Sequence, residues 1–127
     1  MIRFGISRLP PEDMTDADWL DSLLARGHTA IELPFVSGFP WKEKRCARFG
    51  EAAAQRGMAV SVHAPYFAVL TVEDEDKRVK TLAALEHTLK LGRALGAHTI
   101  VAHTGHIKGR DPEELHELVD EGLSRIE

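Results

Sequence analysis

The 127 residues fall within the roughly 100 to 200 of one domain, and 43% apolar content suffices for one hydrophobic core. A formal charge of −4 excludes a broad basic surface for nucleic acid, so a polyanion has to be met by local cations or bound metal ions. One cysteine, Cys46, excludes an internal disulfide and reads as a plain thiol on a helix, which leaves the seven histidines as the side chains to weigh individually.

The N-terminal MIRFGISRLPPED lacks the apolar stretch of a signal peptide, and no run approaches the roughly 20 apolar residues of a membrane span. The expectation is a cytoplasmic domain with no membrane contact. In chain order, a first apolar strand over Arg3 to Ser7 leads to a helix starting at Thr15. The Thr15 hydroxyl caps the first turn with Asp18 three residues on, and Leu20, Leu23 and Leu24 line one face. A second strand covers Ala30 to Phe35, and a second helix runs from about Lys42 to Arg56 with Ala47, Phe49, Ala53 and Ala54 as its less polar positions.

The third strand spans Ala59 to His63. The helix after it is the clearest, because Val79, Leu82, Leu85, Leu89 and Leu95 recur at spacings of three to four, with Asp74, Glu75 and Asp76 at its dipole-favoured start. The fourth strand covers Thr99 to His103. The last helix opens on Asp111 and Pro112, carries Leu115, Leu118, Val119, Leu123 and Ile126, and is expected to run to the chain end. Gly27, Gly57 and Gly96 each close a helix shortly before the next strand.

This alternation predicts an α/β fold of four βα units around a parallel sheet, one unit over 1–127 with no internal boundary. The first loop has no glycine-rich phosphate fingerprint, which weakens a dinucleotide-binding open sheet. Four units are half of a parallel (β/α)₈ TIM barrel, whose complete form takes about 250 residues. Strands one and four would then be unpaired apolar edges, which points to a fragment of a longer chain or to a half-barrel completed by another copy.

In such an architecture functional side chains gather at the C-terminal ends of strands. His63 and His103 both take that place, one on each of two adjacent strands, so both imidazoles can converge on one metal ion. The alternative for each is a rim histidine donating to a backbone carbonyl; two at matching strand ends favour the metal pair. Tyr66 and Phe67 follow Pro65 on the same rim, placed either to stack on bases and wedge into a duplex or to fold back as a lid. Glu32, at the end of strand two, reads as a third acidic ligand, a polar rim group or, the preferred reading, a partner that orients an imidazole from behind. His106 and the cluster Lys42, Lys44, Arg45 and Arg48 are read as solvated, and His28, His87, His98 and His116 as structural or solvated. No GxSxG elbow supports a serine hydrolase.

RFGIS opening strand one, IELPFVSG at strand two, VSVHAPYF at strand three and VAHTG at strand four together resemble the N-terminal half of the endonuclease IV family of zinc-dependent apurinic/apyrimidinic endonucleases, with VHAPY the most specific. The resemblance implies a xylose isomerase-like barrel with three zinc ions at its mouth, in which His63 and His103 bind the same Zn²⁺, and a partner in abasic double-stranded DNA. It also implies that Tyr66 and Phe67 enter the minor groove opposite the abasic site, and that the reaction hydrolyses the phosphodiester on its 5′ side. The family's DxxH and DxH motifs do not occur in these 127 residues, so the chain alone is expected to be inactive. Two departures stand near the site: Val69 replaces the usual asparagine, and the fourth strand ends in HTG, with Thr104, instead of HPG. The alternative is a sugar isomerase or epimerase of the same superfamily using one divalent metal. A third reading is a non-catalytic half-barrel that self-associates.

Overall fold

Thr15, Asp74 and Asp111 each accept a hydrogen bond from a backbone amide in the first turn of a helix, and these three caps set the starts of three helices. In the computed structural model, which describes residues 2–126, they open α1 (Asp16–Ala25), α3 (Glu75–Leu95) and α4 (Pro112–Ser124). The remaining helix, α2 (Glu43–Gln55), has no side-chain cap. Gly96 ends α3 at φ 63°, a left-handed conformation that costs glycine nothing.

Four strands, β1 (Gly5–Ser7), β2 (Ala30–Pro34), β3 (Ala59–His63) and β4 (Thr99–Val101), pair in parallel in the order β1-β2-β3-β4. The expected βα alternation therefore holds, with four units, half the eight of a complete barrel. β1 starts two residues later than expected, at Gly5, and β4 stops two residues earlier, at Val101. β2 stops at Pro34, one residue before the expected Phe35.

Along the strands the side chains alternate between two faces. Ile31, Leu33, Val60 and Val62 are buried against the helices, in one core with Trp19, Leu20, Leu23, Phe49, Leu91 and Leu95. Full burial of one such aliphatic side chain contributes about 1.5–3 kcal/mol. Phe49 lies between two tryptophans, with ring centroids 5.0 Å from Trp41 and 6.2 Å from Trp19. Gly50 brings α2 directly onto the backbone of Leu95 in α3, where any Cβ would overlap the Leu95 carbonyl. On the opposite face Ser7, Glu32, Ser61 and Thr99 stand side by side in register, a polar row on the open side of the sheet.

Several expected core positions are displaced. Val79 is 52% exposed, whereas its neighbour Arg78 is only 4% exposed and shares the inner stripe with Thr81, Leu82, Leu85 and Thr88. Two of these polar residues find partners, although Arg78 Nε is buried without one among the described residues. Thr88 donates to the Ala84 carbonyl at 2.8 Å, and Arg78 donates to the Leu118 carbonyl at 3.1 Å and pairs with Glu121 at 3.0 Å. In α2, Ala47 and Ala54 face solvent, and Cys46 and Gly50 join Phe49 and Ala53 inside. Leu123 of α4 is exposed, and the helix ends at Ser124; Glu127, to which it was expected to run, lies outside the described residues.

Among the described residues no helix is long and apolar enough to cross a membrane.

Candidate metal and substrate site at the strand ends

His63 is the last residue of β3 and pairs in register with Val101, so His103 lies two residues beyond the end of β4 and not at the equivalent position expected from the sequence. Two residues preserve the side-chain parity of a strand, which is why both imidazoles still project from the same face. Their Nε2 atoms are 3.0 Å apart, and the rings are tilted by 35° with centroids at 5.1 Å.

Glu32 also departs from its expected place. It pairs with Ser61 inside β2, whereas Pro34, two residues on, is the partner of His63. The carboxylate thus starts one layer below the imidazoles and its two methylenes carry it upward. Its Oε1 accepts a hydrogen bond from Ser7 Oγ at 2.7 Å and lies 3.4 Å from His63 Nδ1. The tautomer with hydrogen on Nδ1 donates to that carboxylate and leaves the Nε2 lone pair facing His103. Ser7 was not singled out from the sequence; the signal available was the GIS alternation, which puts Ser7 on the face opposite the buried side of Ile6.

The donor set fits a shared ion. A tetrahedral zinc bonded at 2.0–2.1 Å to both nitrogens separates them by about 3.3 Å, a few tenths more than the 3.0 Å observed. The same distance serves an N–H···N hydrogen bond when one ring carries its hydrogen on Nε2. Among the described residues no group of three or more histidines, cysteines or carboxylates is arranged to hold a metal ion by itself.

Tyr66 packs on this pair, with its ring centroid 5.0 Å from His103 and 5.7 Å from His63, and is still 58% exposed. Its amide donates to the Val36 carbonyl at 3.0 Å, which ties the segment after Pro65 to the loop after β2. Phe67 is 57% exposed but turns away, toward a shallow groove with Val69, Val72, Lys77 and Lys80. Neither aromatic folds back as a lid.

His106 is exposed, as expected. Of the basic cluster, Arg45 is engaged, paired with Asp16 at 3.0 Å and stacked 4.3 Å above the Trp41 ring, while Lys42, Lys44 and Arg48 face solvent. His87 meets Phe39 edge-on at 4.5 Å. A cleft of about 520 Å³ opens among Leu9, Pro34, Val36 and Phe39, and neither imidazole is part of its lining. A second, of about 530 Å³, lies at the opposite end of the sheet near Gly57, Met58 and His98, away from these groups.

The histidine pair stands at the C-terminal ends of parallel strands, the end at which barrels of βα units carry their active sites. A family profile described as xylose isomerase-like TIM barrel matches residues 20–127. A probable endonuclease 4 of Streptomyces coelicolor is 35% identical over 66 residues, covering 52% of this chain and 22% of that protein. In three dimensions the chain is similar to endonuclease IV from Thermus thermophilus, with a TM-score of 0.66 and 23% identity over 97% of this chain and 46% of the other. It is also similar to D-psicose 3-epimerase from Clostridium cellulolyticum, with a TM-score of 0.72 and 18% identity over 96% of this chain and 46% of the other. The chain spans 45% or less of the length of the curated relatives it matches. Nuclease and epimerase share this one architecture, and the profile extends over the last three strands, including His63 and His103: the chain belongs to the xylose isomerase-like TIM barrel family.

Proposed function

We propose that this chain supplies the first ligands of a zinc site in a phosphodiesterase of the endonuclease IV kind, acting on abasic double-stranded DNA. The observation that carries the reading is the His63–His103 pair, with two Nε2 atoms 3.0 Å apart on the open face of the strand ends. The VHAPY motif and the 35% identity to a probable endonuclease 4 support the same reading. Zinc bound there would lower the pKa of a coordinated water to about 7 and offset charge developing on phosphate.

The chain's own groups then have distinct tasks. His63 and His103 hold the ion, and Glu32, itself held by Ser7, fixes the His63 ring. Tyr66 projects beside the pair, where its exposed ring can fill the gap left by a missing base, and Phe67 contacts DNA separately along its own groove. Ligands for the further zinc ions of a complete site come from the other half of a barrel, whether in one longer chain or in a second copy. A second reading, a sugar epimerase with one divalent metal, draws on the Glu32 carboxylate beside His63 and on the likeness to D-psicose 3-epimerase.

Binding separates the two without requiring turnover. With zinc present, fluorescence anisotropy should show the chain preferring a duplex with one tetrahydrofuran abasic site over the intact duplex, and Tyr66→Ala should weaken that binding about tenfold. Equal affinity for the two duplexes would remove the nuclease reading, and zinc-dependent binding of a ketose would favour the second.

A further inference from the structure

We infer that Arg110 is a positioning residue for His103: it clamps the loop after β4 to the loop after β3 and so sets the His63–His103 separation. The inference rests on the metal-pair reading of the two histidines. It begins from the strand that stops short. The last carbonyl of β4 to be held by the neighbouring strand's extension is that of Val101, which accepts from the Ala64 amide at 2.8 Å. His103 lies beyond it, so the sheet does not fix its backbone.

What fixes the segment is the adjoining loop. Immediately after His103, the Thr104 carbonyl accepts from the Thr71 amide at 2.9 Å. Gly105, at φ 129°, lays its bare Cα against the Thr71 hydroxyl, where a Cβ would collide. The Arg110 guanidinium then bridges both loops. On one side Nη1 donates to the Thr71 carbonyl and to Glu73 Oε1, each at 2.8 Å; on the other Nη2 donates to the His106 carbonyl at 2.9 Å, with Nε 3.4 Å from the Ile107 carbonyl. In the loop between, Lys108 takes a left-handed φ of 46° that a side chain rarely adopts. Arg110 has no contact with either imidazole and acts through the loop. A lysine keeps the charge but offers no planar fork to reach both sides.

The test uses the 127-residue chain, with Arg110→Ala and Arg110→Lys. Zinc affinity is measured by chelator competition, and exchange of the Thr71 amide is followed by NMR. The expected result is a loss of about 10–100-fold in zinc affinity for Arg110→Ala, a smaller loss for Arg110→Lys, and faster Thr71 exchange in both while far-UV circular dichroism stays native. Unchanged zinc affinity in a folded Arg110→Ala protein overturns the inference, whether or not Thr71 exchange accelerates. Should Arg110→Ala fail to fold, Arg110→Lys decides by the same two measurements. If the unsubstituted chain binds no zinc, the metal reading fails by itself. The clamp is then judged on ring-proton NOEs between His63 and His103, whose persistence in the Arg110 variants overturns it.

Discussion

Glu32 Oε1 lies 3.4 Å from His63 Nδ1, and the same oxygen is held by the Ser7 hydroxyl at 2.7 Å. A carboxylate in that place fixes which nitrogen of His63 faces His103 and increases the basicity of that nitrogen. Glu32→Ala should therefore lower zinc affinity by about tenfold or more, with Ser7→Ala having a weaker effect in the same direction. Competition against a chromophoric chelator measures both. If Glu32→Ala leaves the affinity unchanged, Glu32 is only a polar group of the open sheet face.

The inner face of α3 can be checked by stability. Leu85 is buried with Leu82 and Ala84, so Leu85→Ala should cost about 2–5 kcal/mol, while Val79→Ala, on the solvent side, should stay within about 0.5 kcal/mol. Urea unfolding of the two variants provides the comparison. Equal losses would mean that α3 is rotated from the orientation described.

The same helix marks how far the sequence could be read. The caps at Thr15, Asp74 and Asp111 were legible because a short side-chain acceptor before a helix has one common use. Strand alternation was legible too, since Ile31, Leu33, Val60 and Val62 separate cleanly from the polar row. In α3 the expected Leu82, Leu85 and Leu95 are buried, but Val79 is not, because a hydrophobic pattern does not register Arg78, Thr81 and Thr88, which take up the rest of the inner face. At the site, His63 and His103 were found by their place after apolar runs, but the two-residue offset between them depends on strand register, which no local pattern encodes. The Arg110 bridge joins loops 39 residues apart in sequence and carries no local signature.

Cys46 gives a pH-dependent check on the core. Burial pushes its thiol up from the ordinary 9.0 to about 11, with the Arg45 charge opposing in part. Between those values the unfolded chain releases a proton that the folded chain retains, so this contribution to stability is complete below about pH 9 and is lost as pH rises toward 11. The slope of unfolding free energy against pH across this window should be less negative in Cys46→Ala than in the unsubstituted chain. At about pH 8 a disulfide reagent should label Cys46 slowly, and fully only in denaturant; rapid native labelling would place the thiol at the surface.

The most direct test of the metal pair is a zinc titration of the unsubstituted chain beside His63→Ala and His103→Ala. The geometry predicts one ion per chain and a large loss of affinity from either substitution, because each removes one of two nitrogens that meet at 3.0 Å. If either variant binds zinc as tightly as the unsubstituted chain, the two histidines do not share an ion and the central claim is contradicted.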